Sequence, residues 1–393
     1  MRNYSIHNMK WKNRGHELDG LAALMLEEGN EYYLIGSKEE NESFYEKTGR
    51  YMKRVMPVTI SHERVVEYAG QNAVSEKDMQ LNDHTILICT ARNRAEYETI
   101  RNKWREKGLI ENQRFFQGEL FSMIYDVYVR NQIRIDRIEI FLTSRCTLQC
   151  EKCISYIPYF ERKMDVPLEQ LKKDADILFQ KVDYIYKLKV LGGEGLLYPY
   201  LVEYIDYIWD RYQEKIGTIR IGTNGTVIPS KDILDMCSRN HVILDISDYS
   251  KAVPEQSKLA EIKALCDKNN VTVEIKRTGE QWLDLGFPNK VFDVKDEGQM
   301  WEHFCGCAMF CRQFSQGRMW YCCTNFAAVC AGLFPENEND YFDFTADFSK
   351  KELLEYEVGY SRLGHTTFCV VCGGCSDEVN PCQVEVAKQL REK

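Results

Sequence analysis

The sequence predicts an α/β chain. Its centre reads as a partial (β/α)6 barrel, preceded by a Rossmann-like α/β domain and followed by a cysteine-rich domain. Three observations carry this. Apolar strands and amphipathic helices alternate through residues 132–280. Short glycine, polar and cysteine motifs sit where those strands end. Ten of the 16 cysteines crowd between Cys305 and Cys382, in a segment without that rhythm.

Residues 1–131 form the first expected domain. Glu17–Glu28 has helical spacing, Tyr32–Gly36 is an apolar strand closed by glycine, and a helix is expected near Ser43–Tyr51. Thr85–Cys89 is a second buried strand, and Arg94–Lys107 is a helix stopped by Gly108. This alternation predicts a parallel sheet. Leu34-Ile35-Gly36-Ser37 lacks the G-x-G-x-x-G phosphate cradle, so a docking or substrate-presenting role is expected rather than a dinucleotide site.

Residues 132–280 are read as a strand at Ile138–Leu142, then a helix capped by Asp165 with Pro167 near its start. Strands follow at Tyr184–Leu191, Thr218–Gly222, Val242–Ser247 and Val271–Lys276. Helices are expected after Pro199, at Lys231–Ser238 and at Glu255–Lys268. Five or six such units without closure to eight suggest a partial barrel. Residues 281–393 are expected to fold around inorganic cofactor, with a surface loop from Pro335 to Phe348.

The net charge of −9 argues against nucleic acid or an anionic membrane as partner. No apolar run approaches the ~20 residues that span a bilayer, and Met1–Trp11 has no secretory pattern. A cytoplasmic protein is therefore expected. Disulfides are rare in that compartment, so most of the cysteines call for metal or cluster ligation. Cys89, Cys237 and Cys266 stand apart in apolar patterns and read as core.

Cys146, Cys150 and Cys153 form a C-x-x-x-C-x-x-C loop directly after the first barrel strand. Three soft thiolates select an iron–sulfur cluster or zinc, and in a four-iron cluster they leave one iron open. In parallel sheets ligands bind at the carboxyl ends of strands. There the sequence supplies Gly192-Gly193-Glu194, Thr223-Asn224-Gly225 and Ser247-Asp248. Paired glycines admit close backbone approach. Glu194 can take an ammonium group, and Asn224, Ser247 and Asp248 can bond hydroxyls or a carboxylate.

These residues resemble the radical S-adenosylmethionine (SAM) enzymes, over roughly residues 135–382. The resemblance implies that Cys146, Cys150 and Cys153 hold a 4Fe-4S cluster whose open iron is chelated by SAM. It implies reductive cleavage of SAM to a 5′-deoxyadenosyl radical that abstracts substrate hydrogen. It also implies an electron donor such as flavodoxin or ferredoxin. Gly192, Gly193 and Glu194 match the motif that meets the SAM amino group, and Asn224 and Ser247 lie where ribose or carboxylate contacts are made. Lys152 departs from the family, which usually has an aromatic residue before the third cysteine. Gly195 stands where a proline is often found.

The later cysteines resemble the SPASM or shorter twitch extension of the same family, which binds auxiliary clusters. Gly317–Cys322 reads as a hairpin delivering a thiolate. By resemblance, one auxiliary 4Fe-4S cluster draws on Cys307, Cys311, Cys322, Cys369 and Cys372, with Cys305 or Cys311 able to stand in for Cys307. An all-cysteine zinc knuckle of Cys369, Cys372, Cys375 and Cys382 is the competing reading. The expected function is oxidation or other modification of a small metabolite, a sugar or a nucleotide-linked compound. A peptide-modifying maturase and a non-catalytic zinc or electron-transfer protein are the alternatives. Arg277, Asp284, Glu302 and His303 lie between barrel and cysteine domain, with no assigned catalytic role.

Overall fold

The computed structural model describes residues 9–52, 55–59, 67–68, 71–72, 74–277, 281–289, 296–307, 311–376, 380 and 382–390. The chain divides into two compact units. One combines residues 1–133 with 349–360, and the other combines 134–348 with 361–393. Within the first expected domain the segment 349–360 was not foreseen, because it lies more than 200 residues downstream in the chain.

The first unit is a five-stranded, all-parallel sheet. Its strands are β1 (Glu31–Ile35), β2 (Val55–Thr59), β5 (Val74–Ser75), β6 (Thr85–Cys89) and β7 (Phe115–Gln117), in the order β5-β2-β1-β6-β7. A two-residue ladder, β3 (Glu67–Tyr68) with β4 (Gln71–Asn72), is added. Ile86, Leu87, Ile88 and Cys89 are fully buried, as expected for a strand covered on both faces. Helices α1 (Asp19–Met25), α2 (Lys38–Lys47) and α3 (Arg94–Glu106) fall near their expected places, with Ser37 and Asn93 as N-caps. The helix α4 (Gly118–Tyr128) was not expected. Helix α11 (Lys350–Val358) packs on α4 and is tied in by Glu355. That carboxylate accepts from the backbone of Gly15 and Glu17, at 2.7 Å each, and from Trp11 Nε1 at 2.9 Å.

The second unit carries an eight-stranded sheet. Five parallel strands are β8 (Arg134–Phe141), β9 (Tyr184–Leu191), β10 (Ile216–Thr223), β11 (Ile243–Asp248) and β12 (Val273–Arg277). They are joined by α5 (Leu168–Lys181), α6 (Leu201–Tyr212), α7 (Lys231–Arg239) and α8 (Leu259–Lys268). Asp165 does not cap α5; Pro167 holds that position, and Asp165 bonds to Thr143 and Arg145 instead. The sixth parallel strand comes from the cysteine-rich region: β14 (Arg312–Ser315) pairs with β8 on the edge away from β9. β15 (Arg318–Trp320) and β16 (Tyr341–Asp343) continue it antiparallel. Among the described residues the sheet therefore runs across residue 281, and the expected loop at Pro335–Phe348 contains β16, with Phe342 buried in it and Phe344 buried just after it. Separately, β13 (Gln281–Leu283) pairs antiparallel with β17 (Gln383–Glu385). Helices α9 (Glu297–Gly306) and α10 (Cys323–Cys330) lie in the cysteine-rich region.

The parallel strands have two unlike faces. Ile138, Ile140, Leu188, Val190, Ile219, Ile221, Leu244 and Ile246 bury one of them. On the other, register aligns Glu139 with Lys189, Lys189 with Arg220, and Asp245 with Glu274. There Lys189 and Lys276 both reach one Asp245 oxygen, at 2.7 and 2.8 Å, and Arg220 pairs with Glu274.

Candidate active site

The carboxyl ends of β8, β9 and β10 come together through backbone contacts. Gly193 N–H donates to Thr143 O at 2.8 Å, and Glu194 N–H donates to Arg145 O at 2.7 Å. A Cβ on Gly192 would stand 2.2 Å from Thr143 O, and one on Gly193 would stand 2.3 Å from Arg145 O. Such distances are impossible for any side chain, so the paired glycines are what allow the cysteine loop to lie on the end of β9. The base of that loop is closed by Thr143 Oγ1 donating to Asp165 at 2.7 Å and by the Arg145–Asp165 ion pair at 2.7 Å.

Cys146, Cys150 and Cys153 of this loop share one packed cluster with Leu148, Tyr249 and Trp282. Burial pushes the Cys146 thiol up to about 12 and the Cys150 thiol up to about 11, and raises Cys153 as well. Ionised thiolates here need a compensating cationic centre. Each sulfur also meets donors. Leu148 N–H and Asn224 Nδ2 approach Cys146 Sγ at 3.4 and 3.5 Å, and Gln389 Nε2 approaches Cys150 Sγ at 3.3 Å. Three soft donors with hydrogen bonds to sulfur suit an iron–sulfur cluster with one open iron.

Glu194 is fully buried, and burial pushes its carboxyl up to about 7. Its oxygens accept from Leu196 N–H at 3.1 Å and Asn224 N–H at 2.8 Å. The carboxylate therefore ties the end of β9 to the end of β10, a structural task the sequence did not suggest. Asn224 Oδ1 accepts from Thr226, which leaves its amide nitrogen toward Cys146 and Thr147. Ser247 is the penultimate residue of β11 and bonds to Tyr249, whose ring lies against the cysteine loop and Trp282. Asp248 turns to its own loop, accepting from Ser250 N–H at 3.0 Å.

The C-terminal segment was missed as part of this site. Leu390 N–H donates to Gln149 O, Glu151 N–H donates to Lys388 O, and Gln149 N–H donates to Gln389 Oε1 at 2.7 Å. Val386 and Ala387 pack beside Leu148, Cys150 and Val253. Nothing in the sequence near Gln389 signals this, since the pairing spans 239 residues.

Lys152, in the position where an aromatic residue was expected, pairs with Asp284 at 3.1 Å. The pair lines a small, open cleft with Cys153, Tyr156, Tyr159 and Phe287. The other unassigned residues are dispersed: Arg277 ends β12, Glu302 is exposed on α9, and the His303 ring meets the backbone of Cys372.

A second set of thiols gathers around Cys322. It faces Cys307, Cys369 and Cys372, all buried or half-buried. The hairpin turn at Gln316-Gly317, with φ of 54° and 69°, carries β15 toward Cys322. Thr366 Oγ1 lies 3.2 Å from Cys369 Sγ, Gly374 N–H donates to Cys372 Sγ at 3.4 Å, and Cys375 N–H donates to Cys307 Sγ at 3.3 Å. Four thiols with backbone donors suit a fully protein-held cluster. Cys311 does not join them as expected: its sulfur lies beside Cys323 and Glu139, because it immediately precedes β14. Cys89, Cys237 and Cys266 are buried among apolar residues, and no disulfide joins any of the 16 cysteines.

The sequence matches no protein-family model and no curated protein. Among solved structures, the chain is similar to native anSMEcpe with bound AdoMet (14% identity, TM-score 0.39, covering 61% of this chain and 88% of that one). It is similar to BtrN in complex with AdoMet and 2-DOIA (16%, TM-score 0.29, 36% and 56%). It is also similar to Streptococcus suis SuiB (13%, TM-score 0.29, 72% and 79%).

Proposed function

We propose that the chain is a radical SAM enzyme carrying one auxiliary cluster, and that it oxidises or otherwise modifies a small metabolite, a sugar or a nucleotide-linked compound. The observation that carries this is the seat of the cysteine loop on Gly192-Gly193-Glu194, with Cys146, Cys150 and Cys153 gathered in one packed cluster. Zinc held structurally by three thiols would not need that glycine-lined approach between two strand ends.

In this reading Cys146, Cys150 and Cys153 hold the first 4Fe-4S cluster, and Cys307, Cys322, Cys369 and Cys372 hold the second. When bound, the first cluster supplies the electron for reductive cleavage of SAM. Gly192 and Gly193 present unobstructed backbone to the methionyl end of SAM. Glu194 fixes the strand ends that flank it, and Asn224 and Ser247 offer polar groups to its ribose or carboxylate. The charged face formed by Lys189, Arg220, Asp245 and Glu274 supports a polar substrate. The parallel sheet of the first unit supports a role other than gripping an extended leader peptide.

Anaerobic protein is expected to be brown, with about eight irons per chain from two four-iron clusters. Changing Cys146, Cys150 and Cys153 together to alanine should halve the iron and abolish formation of 5′-deoxyadenosine. Undiminished 5′-deoxyadenosine from that variant would refute the assignment. Deuterium transfer from labelled candidate metabolites into 5′-deoxyadenosine identifies the substrate; transfer from a peptide instead would refute the small-metabolite reading.

A further inference from the structure

Cys311, Cys323 and Glu139 are not used by either cluster, yet one donor atom of each lies within 4.8 Å of the other two. They come from three separate elements. Glu139 is a buried residue of β8, Cys311 immediately precedes β14, and Cys323 opens α10. Two contacts fix their meeting. β14 pairs with β8 so that Gln313 aligns with Glu139, and Gln313 Nε2 donates to Glu139 O at 3.0 Å. Arg312 then donates to Tyr321 O at 2.9 Å, drawing Tyr321-Cys322-Cys323 against the start of the same strand.

We propose that these three residues form a third inorganic site, for a single zinc-like divalent cation. Two thiolates select a soft or borderline metal over magnesium or calcium. Tetrahedral ligands ~2.3 Å from zinc stand roughly 3.8 Å apart, within the spread of the cluster. Charge also balances. Two thiolates and a carboxylate carry three negative charges, and a divalent ion leaves one. Arg137 supplies the remaining positive charge, since it pairs with Glu139 and faces both sulfurs. Among the described residues no fourth side-chain donor joins the group. One position of the ion is therefore left to water or to a substrate oxygen, the arrangement of zinc sites that polarise a ligand rather than merely staple a fold. Adjacent Cys322 belongs to the auxiliary set, so the two inorganic centres would be neighbours in sequence but not in ligands.

The test is metal stoichiometry on the complete, cluster-loaded chain exposed anaerobically to Zn²⁺. One zinc per chain should survive gel filtration alongside the full iron content. Cys311→Ser with Cys323→Ser should lose the zinc and keep the iron. Glu139→Gln should weaken zinc at least about tenfold in chelator competition. Zinc-edge X-ray absorption of the unaltered chain should show two sulfur neighbours at ~2.3 Å. Absence of zinc, zinc retained by the double variant, loss of iron in that variant, or a Cys311–Cys323 disulfide in the anaerobic chain would each overturn the proposal. SAM cleavage is measured separately, so failure here leaves the proposed enzyme class standing.

Discussion

At the scale of single residues, the candidate site depends on how close two pieces of backbone can come. Gly193→Ala places a methyl group where Arg145 O already stands. Relief requires the cysteine loop to lift, at a cost of about 1–3 kcal/mol. Under the proposed function, the expected outcome is loss of the first cluster's iron and of SAM cleavage, with the auxiliary iron kept. Gly20→Ala, which meets nothing within 4 Å in α1, is the control and should leave both unchanged. Gln389 offers a different experiment. Hydrogen bonds to cluster sulfurs are one determinant of reduction potential. Gln389→Leu removes a donor 3.3 Å from Cys150 Sγ, so the midpoint of the proposed first cluster should move to more negative potential with iron content intact. An unchanged midpoint in an EPR-monitored titration would show that this contact has no electronic role.

The scale of elements shows why sequence reading located some of these residues and not others. The strand ends bearing Gly192, Asn224 and Ser247 were legible because apolar runs such as Tyr184–Leu191 announce buried strands, and their ends follow directly. The roles of the residues were less legible. Glu194 is spent on two backbone amides of its own fold, and only the parallel register between β9 and β10 brings Asn224 N–H to it. Likewise β14 has a short, polar sequence, Arg312-Gln313-Phe314-Ser315, with no period that marks it as a strand of the parallel sheet. Pairing with β8 defines it, and that pairing separates Cys311 from Cys307. The charged face of the sheet gives this scale its prediction. Burial alone would raise the Asp245 carboxyl, but Lys189 and Lys276 overcome it and hold it below the ordinary aspartate value. The folded-state value is then the lower one. Its stabilisation is complete above the unfolded value of about 3.9 and is lost as pH falls through the folded value. Asp245→Asn leaves Lys189 without its buried partner and should cost roughly 3 kcal/mol near neutrality. In thermal unfolding, the gap between variant and parent should narrow as the pH is lowered from 7 to 3. A gap independent of pH would rule out the ion pairs as its source.

Across the whole molecule, the first unit is built from two stretches of chain. Helix α11 buries Leu353, Leu354, Tyr356 and Val358 within it, and Glu355 closes the loop that holds Gly15 and Glu17. Residues 134–393 expressed alone would carry that helix without the partners of its own unit. Such a fragment should be poorly soluble or aggregate, as judged by light scattering. Polar replacement of Leu353 and Leu354 in the same fragment should relieve this. A freely soluble, monomeric 134–393 fragment would mean that α11 contributes little to the unit it packs in.

That divided construction also orders events during synthesis. A ribosome that has finished residue 133 has translated every strand of the five-stranded sheet but not the helix that completes its packing, whose synthesis ends only near residue 360. At ordinary elongation rates of ~5–20 residues per second, the wait is about 10–45 s. Through that interval the nascent N-terminal third carries an uncovered apolar surface, while the cysteine-bearing segments that follow are still being translated.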